Sequence, residues 1–261
     1  MSYPTLRLHP RKEESVLRFH PWIFSGAIAS FSAPVEDGDL VSVVDSKGHP
    51  LGTGHFGGGS IAVRLLSFDA EEVVDRAFYK RRLEAALRLR LSCDLVRPVG
   101  SSDSPNTTYR LVHGEGDSLP GLIIDIYDRT AVVQAHSLGM HQARQTIAEV
   151  LWEVFAEAGD PVLPLEGVYY KSETTLPTRD MRELASDGFL IGHTEAAPIY
   201  ENGVRFTPDW LKGQKTGFFI DQRDNRALVA HYAKERTVLN AFCYTGGFSI
   251  YALHAGAKRV D

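Results

Sequence analysis

From residue 1 to about 70, short apolar runs alternate with turn-forming residues: WIFSGAI, EDGD, LVSVVDS, KGHP, LGTGHF, GGGS and IAVRLLSF. Short apolar runs bounded by Gly, Pro and Asp are strand signals, and about five at this spacing predict a small β-barrel over 1–70. Lys47-Gly48 and Gly57-Gly58-Gly59 fit tight connections, where glycine reaches positive φ. The period changes at residue 71. Val74, Ala77, Phe78, Ala85 and Leu89 recur at roughly helical spacing, after Glu71, Glu72 and Asp75, acids that suit a helix N-terminus. This predicts one linker helix over 71–92.

Residues 93–190 read as a mixed α/β domain. TYRLVHGEGDSLPGLIIDIYDRTAVVQAHS predicts strand, glycine-rich turn, strand, turn at Asp128-Arg129, and strand. HQARQTIAEVLWEVFAEAG predicts an amphipathic helix stopped by Gly159, and GVYYKSE a further strand. Gly188 to Phe206 suggests a hairpin turning at Glu201-Asn202-Gly203, so 191–215 is taken as a hairpin segment. Over 216–261, DQRDNRALVAHYA predicts a helix, RTVLNAF a buried strand, YTGG a tight turn and FSIYALHAGA a second helix. That is the opening of a doubly wound unit. The predicted fold class is α+β and multidomain.

Composition narrows the function little. The 261 residues are 43% hydrophobic and 23% charged, ordinary for a globular protein. No apolar run is long enough to span a membrane, and the N-terminus lacks a signal-peptide core, so a cytoplasmic location is expected. Cys93 and Cys243 lie far apart without metal-ligand spacing and read as reduced thiols. A net charge of −5 does not announce a nucleic-acid binder. Local charge does more. Between Arg76 and Ser92 stand Arg76, Lys80, Arg81, Arg82, Arg88 and Arg90 against Glu84 alone, a stripe that either contacts phosphate or is a solvated face. His113, Glu115 and Asp117 alternate like metal ligands, but the glycines between them suit a turn better. Trp22 is expected in the barrel core.

The chemistry concentrates near the C-terminus. VLNAFCYTGGFS is a short apolar strand, a turn with two glycines, and a helix start. Ligands bind at the carboxyl ends of such strands, close to glycine backbone and free helix N–H groups. The turn is neither GxGxxG nor a P-loop. Upstream, LKGQKTGFFIDQRDNR packs glycines, aromatics and paired charges into one segment.

Together these two segments resemble the PUA-containing class I S-adenosylmethionine-dependent RNA methyltransferases, and within them the bacterial 23S rRNA (cytosine-C5)-methyltransferase group. HPWIFSGAI and HGEGDSLPGLIIDIY resemble the same family, so the likeness spans nearly the whole chain. It implies a PUA-like RNA-binding barrel, a central α/β domain, and a Rossmann-like methyltransferase domain beginning near 216. It implies S-adenosylmethionine as cofactor. Lys215, Phe218 and Arg223 would line its pocket, and Asn240, the Phe242 backbone, Tyr244 and Gly246 would hold its methionine end. Arg223 suits the carboxylate. Asp221 would orient Arg223, meet the amino group, or cap the helix, and Asp224 reads as a cap. Arg7, Arg11, Lys12 and Arg18 on the barrel, with Arg81, Arg82 and Arg88 on the linker helix, are the RNA-contact candidates. Large-subunit rRNA is the expected partner. In the family the nucleophilic cysteine lies in a later motif than Cys243, and the acid for the ribose hydroxyls ends the second strand, near Asp261. No catalytic or metal-ligating residue is assigned. The methyltransferase domain is expected to be incomplete at Asp261, the chain inactive alone, and an unfinished sheet open to dimerisation. An RNA-binding module without chemistry is the alternative reading.

Overall fold

The computed structural model describes residues 3–101, 104–178, 183 and 185–261. The N-terminal unit holds β1 (Thr5–Leu8), a short α1 (Glu14–Leu17), β2 (Trp22–Phe24), β3 (Ile28–Phe31), β4 (Leu40–Val44), β5 (Pro50–Phe56) and β6 (Ile61–Ser67). They form one six-stranded sheet in the order β2-β6-β5-β4-β1-β3. Alternation places Leu6, Leu8, Val41, Val43, Val63 and Leu65 in its core. WIFSGAI is two strands rather than one, because a 3-10 turn at Ser25–Ala27 breaks it. Glycine is required where β5 meets β6: a Cβ on Gly54 would stand 2.3 Å from the Arg64 carbonyl oxygen. Gly48 turns with φ 95°, as expected, but none of Gly57, Gly58 and Gly59 has positive φ.

The linker helix α2 runs Arg76–Ser92, shorter than expected. Asp75 precedes it as the N-cap and accepts the Phe78 N–H at 2.9 Å, while Glu71 and Glu72 lie outside. Its buried face is Phe78, Tyr79, Leu83, Ala86, Leu87 and Arg90, while Leu89 is half exposed. A helix clamped between a sheet and a second helix buries more than the single stripe its apolar residues mark.

The central sheet is β7 (Thr108–His113), β8 (Leu122–Tyr127), β9 (Thr130–Ala135), β10 (Gly167–Tyr170) and β11 (Gly188–Gly192), in the order β11-β10-β9-β8-β7. The expected 141–159 helix is α3 (Leu138–Gln142) followed by α4 (Arg144–Ala158). It carries β9 across to the parallel β10 and stops at Gly159, φ 64°. Ile147, Val150, Leu151, Val154 and Phe155 form the buried stripe of α4. α2 and α4 cover one sheet face over Ile124, Ile126, Val133, Val168 and Tyr170.

Tyr127, Val132 and Tyr169 on the opposite face pack on a second core with Ile199, Phe206, Trp210, Phe218 and Tyr251. The hairpin within Gly188–Phe206 is only β12 (Ile199–Glu201) with β13 (Val204–Phe206), turning through Asn202 at φ 48° and Gly203 at φ 81°. β11 instead pairs with β10, so the central domain extends past residue 190. The last unit is α5 (Arg223–Ala233), β14 (Thr237–Val238), α6 (Gly247–His254) and β15 (Arg259–Val260). β14 and β15 pair in parallel. The strand expected over 236–242 is cut to two residues and is not buried: Leu239 is 78% exposed.

Candidate functional site

The GQKTGFF segment is a loop pinned from three sides. Lys171, just after β10, donates through Nζ to the Trp210 carbonyl at 2.8 Å and the Gly213 carbonyl at 2.7 Å. Thr216, fully buried, donates to Asp125 Oδ2 at 2.6 Å. With the threonine proton so used, the Tyr127 hydroxyl donates to Thr216 Oγ1 at 2.9 Å. Burial raises the Tyr127 pKa, which keeps that proton in place. Asp125 is buried and takes a bidentate pair from Arg110, at 2.8 and 2.9 Å. From the third side, the Tyr244 hydroxyl accepts the Gln214 N–H at 3.1 Å. Gly217 sits at φ 117°, where a Cβ would come within 2.5 Å of Trp210 Cα.

Of the expected cofactor residues, two groups come together and one turns away. Lys215, exposed at φ 53°, holds Nζ 4.9 Å above the Phe219 ring, and Tyr244 meets the same ring edge-on at 5.2 Å. Asp221 and Arg223 line a cavity of about 510 Å³ with Leu89, Leu95, Arg110 and Ile220. Phe218 is 3% exposed, wedged between Phe206 and the Arg226 guanidinium, so its ring packs the core and does not line a surface pocket.

A second bidentate arginine–carboxylate pair joins Arg226 with Glu201, at 2.7 and 2.6 Å, both buried. Arg226 also donates to the Phe219 carbonyl, and Tyr251 of α6 donates to the Glu201 carbonyl at 3.0 Å. The hairpin thereby holds both helices of the last unit. Arg223 donates to the Thr108 carbonyl at 2.5 Å, lies 3.8 Å from Glu201 Oε2, and keeps a buried Nε without a partner. Burial lowers its pKa and Glu201 opposes that. Neither Asp221 nor Asp224 caps α5, whose N-cap position is Gln222.

In the strand-turn-helix, Asn240 donates to Ser249 Oγ at 2.7 Å. Phe242, Tyr244 and Gly246 all have positive φ, at 61, 49 and 72°. The Phe242 ring is fully exposed and Cys243 is an exposed free thiol. Asp261 follows β15 directly, and its carboxylate accepts from Arg259. Cys93 is exposed beside the 510 Å³ cavity.

The basic stripe of α2 is spoken for. Arg76 and Lys80 pair with Glu153, Arg81 and Arg82 with Glu72, and Arg90 with Asp117. Among the described residues, Arg88 has only the loose Glu84 contact at 3.9 Å. On the N-terminal sheet, Arg7 donates to the Ser46 carbonyl at 3.0 Å, whereas Arg11, Lys12 and Arg18 are exposed. Trp22 is not core. It is partly exposed and its indole N–H donates to Glu115 at 2.7 Å. Asp117 accepts the His113 N–H, so the His-Glu-Asp string is a structural turn.

Comparison with known proteins accounts for this arrangement. A PUA-like domain family matches residues 6–68, and an S-adenosylmethionine-dependent methyltransferase family matches residues 177–261. Proteins named ribosomal RNA large subunit methyltransferase I share this layout. The one from Alteromonas mediterranea is 39% identical over 97% of this chain, and the one from Shewanella frigidimarina 40% over 98%. The chain thus joins a match to a PUA-like domain with a match to an S-adenosylmethionine-dependent methyltransferase domain. It spans 60 to 62% of the length of these curated relatives. The fold agrees with a putative methyltransferase from Streptococcus mutans, at a TM-score of 0.77 and 23% identity. That match covers 100% of this chain and 62% of the other. A putative methyltransferase complexed with SAH aligns at 0.79 and 22%, with the same coverage.

S-adenosylmethionine is the cofactor of this methyltransferase family. Two features bear on whether the residues suit it: Arg223 Nε is a buried donor with no hydrogen bond, and Phe242, Tyr244 and Gly246 just before α6 have positive φ. Reading the sequence missed Asp125, Thr216, Glu201, Arg226 and Lys171 as organisers of the methyltransferase segment. One signal was present: an aspartate inside the apolar strand LIIDIY must find a buried cation.

Proposed function

We propose that the protein transfers a methyl group from S-adenosylmethionine to C5 of a cytosine in large-subunit ribosomal RNA. The observation that carries this reading is the joining of a PUA-like unit to a methyltransferase segment in one chain, in the layout of relatives named for large-subunit rRNA methylation. The substrate would be met in the cytoplasm, where ribosomes are built.

The cofactor supplies the electrophilic methyl group. Arg223, which lines the 510 Å³ cavity, is assigned to its carboxylate. Asn240, the Phe242 backbone, Tyr244 and Gly246 are assigned to its methionine end. Lys215 and Asp221 are assigned to the pocket rim, being exposed on either side of the loop. Phe218 supports the site from behind, through Arg226. RNA phosphates are assigned to Arg11, Lys12, Arg18 and Arg88. Arg7, Arg81 and Arg82 are engaged within the protein and serve its structure.

The test is methylation of unmodified large-subunit rRNA by the full-length protein with isotope-labelled cofactor, followed by nucleoside mass analysis. Label in 5-methylcytidine is expected. Label in a methylated guanosine would move the assignment to a guanine-directed enzyme, and no label in rRNA would overturn it.

A further inference from the structure

Between the N-terminal sheet and the central domain lies a second cavity, of about 300 Å³, lined by Asp37, His55, Gly59, Ser60, Arg64 and Ser137 among others. Arg64 on β6 pairs in register with Trp22 on β2 and His55 on β5, so the three side chains stand on the same sheet face. That face meets the central domain. Trp22 donates to Glu115, the His55 ring lies against Gly139, and the Arg64 stem passes Gly121.

The Arg64 guanidinium, partly buried, forms no salt bridge within 4 Å and donates no hydrogen bond among the described residues; Glu115 attracts it only at longer range. Arg110 and Arg223, also partly buried, and Arg90 and Arg226, buried, each have a carboxylate or carbonyl partner. Leaving a desolvated guanidinium unpaired is unfavourable, and an anion relieves it. His55 is 6% exposed and its Nδ1 is buried without a partner. Burial, aided by Arg64, pushes its pKa down to about 4, so near neutral pH it carries no charge.

The third observation is the Gly57-Gly58-Gly59-Ser60 connection. None of its glycines needs positive φ, and a Cβ on Gly59 would meet nothing within 4 Å. Neither the turn nor packing asks for glycine at 59. The Gly57 and Gly58 N–H groups are used, on the Ala62 carbonyl and on Asp37 Oδ1 at 2.6 Å. Those of Gly59 and Ser60 have no partner among the described residues. The two nearby acids are engaged, Asp37 by Gly58 and Glu115 by Trp22. Free backbone N–H groups and a guanidinium without a hydrogen bond, lining one cavity, offer donors to an oxyanion.

We propose that this cavity binds a phosphate group, held by Arg64 and by the N–H groups of Gly59 and Ser60. The group comes either from an RNA strand or from free phosphate, and two measurements separate them. In amide NMR spectra, millimolar inorganic phosphate shifts the Gly59 and Ser60 signals of the protein in a saturable way. Arg64→Gln abolishes the shift and Arg64→Lys keeps it in weakened form. No shift at either amide in the unaltered protein, or an unchanged shift in Arg64→Gln, overturns the proposal. If Arg64→Gln does not fold, the spectrum of the unaltered protein decides alone. In the second measurement, Arg64→Gln lowers the slope of log K against log salt for RNA binding by about 1 if the occupant is a backbone phosphate. An unchanged slope with phosphate binding lost assigns the site to free phosphate. The RNA arm rests on the RNA-methyltransferase reading and the phosphate arm does not, so their failures are distinguishable.

Discussion

Glu201 and Arg226 form a buried ion pair that ties the β12–β13 hairpin to α5. Removing one partner strands the other charge away from water, so Glu201→Ala should cost about 3–5 kcal/mol, read by urea unfolding. A loss no larger than that of a surface substitution would show that the pair is replaceable. His55 makes a prediction with a definite sign. Its folded pKa of about 4 lies below the ordinary 6.5, so the unfolded chain binds the proton more readily. Stability is full above pH 6.5 and falls as pH drops toward 4, by up to about 3 kcal/mol. His136 and His141, lowered chiefly by burial, add in the same direction. Unfolding free energies measured across this range should fall more steeply for the unaltered protein than for His55→Gln. Of these residues, only Arg226 stood inside a segment marked for chemistry, because pairing partners distant in sequence leave no local pattern.

Strands, turns and helices were legible where one face alone is buried. The Asn202-Gly203 hairpin, the Asp128-Arg129 turn and the stripe of α4 follow from turn chemistry and period. β11 was misplaced, because its pairing with β10 is set by the sheet and not by its neighbours in sequence. The basic stripe of α2 was ambiguous for a related reason: its partners Glu153 and Glu157 lie on α4. Two outcomes follow for this helix. Asp75→Ala should cost about 1 kcal/mol through loss of the N-cap. Replacing Arg81 and Arg82 with alanine should leave the salt dependence of RNA binding unchanged, whereas replacing Lys12 and Arg18 should reduce its slope by about 1 for each phosphate no longer neutralised. Equal effects from the two pairs would return α2 to the RNA surface.

Across the whole molecule, the central sheet is the organiser. One face carries α2 and α4; the other carries the hairpin and the segment after it, joined through Asp125, Thr216 and Lys171. The likeness to PUA-containing methyltransferases was legible because its two motifs each lie within one short stretch of sequence. The cavities were not, because each is walled by elements far apart in sequence. The central claim is that residues 213–226 and 240–247 build a site for the methionine end of S-adenosylmethionine. Calorimetry of S-adenosylhomocysteine with the full-length protein and with Arg223→Ala tests it most directly. Saturable heat in the unaltered protein, with affinity weakened at least about tenfold by the substitution, is predicted. No heat at millimolar ligand in the unaltered protein would contradict the claim.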